Sequence, residues 1–192
     1  MTAGISAHFE NICSHKRDEN IIEGVRGFLK GEKTILDVGC GNGRLAKKLQ
    51  EKLGLEISGI DVYLPEKPKI PVSLFDGKKI PFSDNSFDAV FLMDMLHHAE
   101  NAFDIFSEAM RVAKKFVLIK DHFYENAVDS AALKIADFAG NFASGMPLTF
   151  NFKSKKEWRE MLAGFAINEI EWRSMLFPGI TFPQVIYMVR KN

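Results

Sequence analysis

Residues 35–43 read Ile-Leu-Asp-Val-Gly-Cys-Gly-Asn-Gly, an apolar run that breaks into three alternating glycines. Ile35, Leu36 and Val38 suit a strand covered on both faces. Gly39, Gly41 and Gly43 let the backbone turn sharply and approach a bound molecule, because glycine reaches positive φ and carries no Cβ. The residues that follow place leucines at 45, 49 and 53, the i, i+4, i+8 stripe of a helix. A strand, a glycine turn and a helix start form a nucleotide-binding corner.

The spacing narrows the ligand. Dinucleotide sites use G-x-G-x-x-G, with the pyrophosphate on the helix N-terminus. Here the spacing is G-x-G-x-G, Asp37 stands two residues before the first glycine, and no phosphate-loop lysine follows. Asp37 through Gly43 resembles the first motif of the class I S-adenosylmethionine (SAM)-dependent methyltransferases. Downstream, Glu56–Asp61 reads as a second strand ending in an acid. A carboxylate there can accept two hydrogen bonds from a ribose diol and repels a 2′-phosphate.

Leu74-Phe75-Asp76-Gly77, then Ile80-Pro81-Phe82, then Phe87-Asp88-Ala89-Val90 and Leu96-His97-His98 extend the resemblance. They are similar to the ubiquinone/menaquinone C-methyltransferase-like group. The likeness covers residues 30–120 well and the remainder in outline. It implies a three-layer, Rossmann-like α/β fold with a seven-stranded, mostly parallel sheet in the order 3-2-1-4-5-7-6, strand seven antiparallel. It implies SAM as cofactor and S-adenosylhomocysteine (SAH) as product. The implied cofactor contacts are Asp37, Gly39, Cys40, Gly41, Asn42, Gly43, Asp61, Val62, Asp76, Gly77, Met93 and Asp94. Within this set, Asp61 takes the ribose and Asp76 with Gly77 takes the adenine. Asp88 is expected to be structural.

Composition agrees. The chain has 192 residues, 46% hydrophobic and 26% charged, with 25 basic and 25 acidic side chains. One globular domain is expected over 1–192, with 1–30 as an N-terminal cap. A net charge of zero leaves no electrostatic footprint for nucleic acid, so the expected partner is a small-molecule acceptor. Two cysteines, one inside the glycine loop, argue against a disulfide framework and fit a reducing, cytoplasmic setting. Met1–Asn20 is polar and charged, unlike a secretory leader, and no apolar run reaches the ~18 residues of a membrane span.

Alternating patterns place strands near 34–38, 56–60, 70–75, 87–93, 115–121, 167–176 and 183–190. Pro71 assigns the third to a sheet edge, since proline cannot donate to a ladder. Phe177–Phe182 reads as a turn-rich link between the last two strands. A helix over 100–113 is expected to turn Phe103, Phe106, Met110 and Ala113 inward. Another over 127–143 carries Leu133, Ile135, Phe138 and Phe142. Ser154-Lys-Lys-Glu157 is a capping box opening a short helix with Trp158, Met161 and Leu162 inward. Residues 144–152 read as an apolar loop over the acceptor, with Phe9, Phe142, Phe150 and Phe152 as candidates to line a pocket.

Methyl transfer from a sulfonium is an in-line displacement, so positioning supplies much of the acceleration. Some acceptors also need a base. The candidates are Asp94, His97, His98, Asp121 and His122, with Asp94, His97 and His122 preferred. Adjacent histidines are expected to point apart, and no H-x(3)-H or C-x(2)-C spacing accompanies them, so no metal site is expected. Two other readings share the sheet: a catalytically inactive SAM-binding module, and an NAD-linked oxidoreductase, which the glycine spacing disfavours.

Overall fold

A computed structural model describes residues 16–141, 150–177 and 180–191. The chain opens with helix α1 over 16–28. Then follow β1 (Thr34–Val38), α2 (Arg44–Leu53), β2 (Glu56–Asp61), β3 (Val72–Leu74), β4 (Phe87–Met93), a 3-10 turn (Leu96–His98), α3 (Ala102–Val112), β5 (Ala113–Tyr124), α4 (Ala127–Asn141), β6 (Lys153–Ser154), α5 (Lys155–Met161), β7 (Ile167–Phe177) and β8 (Ile180–Arg190).

The sheet runs β3-β2-β1-β4-β5-β8-β7. It is parallel up to β5, and β8 is antiparallel to both neighbours. This is the expected order, with the hairpin strands as β7 and β8. The two-residue β6, parallel to the end of β5, is an addition that the sequence did not announce. β3 lies at the edge and begins one residue after Pro71, whose carbonyl accepts from Gly59 N–H. The expected link over 177–182 is mostly strand, since β7 runs to Phe177 and β8 starts at Ile180. Pro183 is tolerated inside β8 because its register with β5 ends at Gln184, so no ladder bond to β5 is lost there.

Side-chain alternation along each central strand sends successive residues to opposite faces, and both faces are covered. Leu36, Val38, Val90, Leu92, Val117 and Ile119 join a core with Phe106, Trp158 and Leu162 from α3 and from α5 and its C-terminal end. Ile35, Ala89, Phe91, Phe116 and Leu118 join a second core with Ile21, Ile22 and Val25 of α1 and Leu49 of α2. Part of the segment expected as a cap is therefore a core helix. Gly24 lets α1 approach the sheet, since a Cβ there would stand 2.6 Å from Ile186 Cδ1.

One helix face differs from expectation. In α3 the buried face is Ala102, Ile105, Phe106, Ala109 and Val112, and Phe103 is exposed. The aromatic stripe misled because the first turn is set by Asn101, whose side chain caps the Phe103 and Asp104 N–H groups. In α4, Ala132 and Leu133 face inward, whereas Ile135 and Phe138 face out. Phe9 and Phe142 lie outside the described residues. The capping box is present, with Ser154 and Glu157 bonded reciprocally.

Asp88 holds the starts of two neighbouring strands together, accepting from Lys33 N–H at 2.9 Å and Thr34 N–H at 3.1 Å. The Ile80-Pro81-Phe82 stretch is pinned from α3, because Arg111 donates to the carbonyls of Ile80 and Phe82. The strand order reverses between β1 and β4. That crevice is where open α/β sheets hold their ligands.

Candidate functional site

At the C-terminal end of β1 the chain passes through Gly39 at φ +70. Gly39 N–H donates to Ile60 O, and Gly41 N–H donates to Asp61 Oδ2 at 2.7 Å. A Cβ on Gly39 would stand 2.8 Å from Met95 Cβ, so this position excludes any side chain. Gly43 turns the chain into α2. It lines neither cavity described below and packs against Ile70.

Two adjoining cavities open over this corner. The larger, about 620 Å³, is walled by Gly39, Asp61, Val62, Asp76, Gly77 and Asp94, with Tyr63, Phe75, Met95 and His98. The smaller, about 180 Å³, is walled by Asp37, Cys40, Gly41, Asn42, Met93 and Asp94, with Arg17. Eleven of the twelve expected cofactor contacts therefore line one trough. Asp76 is held ionised by the Lys79 and Lys78 N–H groups, both 2.8 Å from Oδ1.

Asp37 is buried, and its Oδ1 has no hydrogen-bond partner. Burial and then the neighbouring Asp61 carboxylate push its pKa up to about 8. Burial raises the Cys40 thiol to about 12, so it is an unreactive wall.

Asp94 stands where the two cavities meet. Its φ is +53, a conformation that costs about 1 kcal/mol outside glycine. Its carboxylate pairs with Lys120 of β5 and with Arg17 of α1, and lies 3.5 Å from His122 Nδ1. Burial opposes its charge, but the Lys120 ammonium and Arg17 guanidinium hold it well below the usual carboxylate range. Lys120 is fully buried, which lowers its pKa to about 8 despite Asp94.

The expected catalytic histidines fall in different places. His97 lines neither cavity. Its Nδ1 lies 2.6 Å from Asp121 Oδ1, and although burial disfavours its charge, Asp121 raises its pKa above the ordinary value. Asp121 is fully buried, and against that burial His97 holds it well below the usual carboxylate range. His122 lies beneath the rim, and burial and the Lys120 ammonium lower its pKa to about 4. The imidazole that faces the larger cavity is His98. The 3-10 turn also keeps His97 and His98 together, with ring centroids 4.1 Å apart, where sequence reasoning had them diverge. Phe152, expected to line a pocket, stacks on His97 at 4.8 Å and lines neither cavity.

Sequence reasoning missed Arg17 and Lys120. Lys120 had a signal, a lone lysine closing the apolar run Phe116-Val117-Leu118-Ile119. Arg17 had none, because its partner is 77 residues away.

A methyltransferase-domain family profile matches residues 36–118. An uncharacterized protein of Methanocaldococcus jannaschii, MJ1123, is 30% identical over 151 residues, 76% of this chain and 69% of that one. The sterol 24-C-methyltransferase ERG6B of Gibberella zeae is 32% identical over 111 residues, 51% of this chain and 29% of that enzyme. The chain belongs to the SAM-dependent methyltransferases. Its fold is shared by solved structures. YcgJ of Bacillus subtilis has a TM-score of 0.69 at 17% identity, over 93% of this chain and 99% of that one. Magnesium protoporphyrin IX methyltransferase of Synechocystis PCC 6803, solved with bound SAH, has a TM-score of 0.63 at 17% identity, over 94% and 84%. The chain spans under a third of the sterol enzyme's length, so that likeness concerns one domain of it. Among the described residues, no helix of this methyltransferase is long and apolar enough to cross a membrane.

Proposed function

We propose that the chain transfers a methyl group from SAM to an apolar small-molecule acceptor at the rim of β4 and β5. The observation that carries this reading is the carboxylate-lined trough running from Asp76 past Asp61 to Asp94. SAM supplies an activated methyl group on a sulfonium, so the protein needs to orient and to exclude water.

In this reading Asp61 accepts from the ribose hydroxyls, and Asp76 with Gly77 holds the adenine. Asp37 meets the ammonium of the amino-acid tail, and Arg17 meets its carboxylate. The orphaned Asp37 oxygen and the glycine cradle both fit such a ligand. Asp94, ionised at the junction of the cavities, offers negative charge where the sulfonium would lie. His97 and His122 act from behind this wall as positioning groups, while His98 faces the acceptor side.

Phe152 and Phe182, packed against His97 and His122 behind the cavity wall, favour an apolar acceptor. The sterol-methylating relative supports the same class. Zero net charge favours a small molecule over nucleic acid, and the cysteine usage favours a cytoplasmic setting. The N-terminal residues complete the site, with α1 carrying Arg17 to Asp94.

The test is mass spectrometry of a metabolite extract incubated with the protein and SAM labelled in its methyl group. A labelled product confirms transfer and identifies the acceptor. SAH binding without transfer to any acceptor would favour the inactive binding module, and NADH binding in place of SAH would favour the oxidoreductase.

A further inference from the structure

We propose that His97, His98 and Asp137 form a binding site for one divalent transition-metal ion of the zinc type. The 3-10 turn after β4 presents the two imidazoles side by side. Asp137 comes from α4 and is buried against them, with its Oδ1 3.8 Å from His98 Nε2. One donor atom from each of the three residues lies within 4.8 Å of the other two. Two tetrahedral zinc ligands at about 2.1 Å from the ion are about 3.4 Å apart, so small side-chain shifts close the site.

A second observation supports an ion. His97 Nδ1 is engaged by the fully buried Asp121 at 2.6 Å. A metal-ligating histidine almost always carries such a partner on its other nitrogen, which fixes the tautomer and orientation. The protein thus presents two imidazoles and one carboxylate, backed by an orienting carboxylate. His98 Nδ1 is itself buried with no hydrogen-bond partner, so a turn of the His98 ring toward an ion breaks no bond at that atom.

His97 also groups with Asp121 and His122. That group is the poorer candidate, because the buried Lys120 ammonium pairs with Asp94 beside His122 and repels a cation. Since His98 walls the larger cavity, an ion beside it would have its remaining coordination position toward the cavity. There it would polarise an oxygen or nitrogen of the acceptor. This last consequence rests on the methyl-transfer reading; the binding site does not.

The experiment is titration of the chelator-treated full chain with Zn²⁺ by calorimetry, repeated with Co²⁺ by visible absorption. SAH affinity and circular dichroism are measured on the same samples. One equivalent should bind. His98→Ala and Asp137→Asn should each weaken binding by more than about 100-fold while the fold is kept, and Asp121→Asn should weaken it less than either, by about 10- to 100-fold. No binding by a chain that still binds SAH overturns the metal site and leaves the cofactor reading standing. Binding unchanged in His98→Ala and Asp137→Asn overturns the assignment. So does a loss larger in Asp121→Asn than in Asp137→Asn, which would move the ion toward His122. Metal bound by a chain that does not bind SAH supports the site and refutes the cofactor reading.

Discussion

Protonation of Asp37 should control cofactor affinity. Its carboxyl is buried, one oxygen has no partner, and burial with the nearby Asp61 raises its pKa to about 8. At pH 6 the free protein therefore holds Asp37 neutral. A ligand ammonium in the smaller cavity favours the ionised form, so binding must expel the proton. Two pH units below the pKa this costs about 2.7 kcal/mol, on the order of 100-fold in affinity, and above pH 9 the cost vanishes. The assay is calorimetric titration with SAH from pH 6 to 9, in buffers of different ionisation enthalpy. Near pH 6 each SAH bound should release close to one proton. The ligand's own amino group titrates too, so the comparison is with Asp37→Asn, which should lose the steep part of the profile. Equal slopes in the two proteins, with no proton release, would refute the reasoning. A stability consequence follows with a definite sign. Because the folded pKa lies above the unfolded one, the folded state binds more protons between about pH 4 and 8. The ligand-free protein should lose stability as pH rises through that window, and Asp37→Asn should remove that part of the loss.

Asp61→Ala should weaken SAH binding more than ~10-fold, the loss of one or two charged hydrogen bonds, and unchanged affinity by calorimetry would remove the ribose assignment. Gly39→Ala places a Cβ 2.8 Å from Met95 Cβ at φ +70. It should lower the melting temperature by several degrees through a cost of about 1–2 kcal/mol or more, and abolish SAH binding; a wild-type melt would show that the turn relaxes freely. Lys120→Met breaks the ion pair between fully buried Lys120 and partly buried Asp94 and should cost about 3 kcal/mol in denaturant unfolding. Adding Asp94→Asn should recover part of that loss, and simple additivity of the two changes would show that the pair is not coupled.

The cofactor half of the site was legible because it is local. Asp37, the glycines, Asp61, Asp76 and Gly77 each sit within a few residues of a strand end, and strand alternation with glycine spacing encodes those ends directly. The acceptor half was not. His97, Asp121 and Asp137 meet through three different elements, and no spacing along the chain records which β5 or α4 side chain faces the turn after β4. The helix face failed for a related reason. The apolar stripe of α3 named a plausible inward face, but the Asn101 cap chose the rotation.

The sequence by itself determined a parallel sheet of covered strands, the edge position of β3 and the nucleotide-binding corner, while the strand order came only as an implication of the family resemblance. The first three follow from backbone needs that residue type meets locally: glycine at positive φ, proline at an edge, β-branched and leucine runs in covered strands. Tertiary structure alone decided which charges are buried. Asp94 keeps its ionised state, Asp37 resists it, and His98 rather than His97 faces the cavity. Those outcomes depend on desolvation and on the distance to partners from 24 to 77 residues away, quantities that exist only once the sheet has closed.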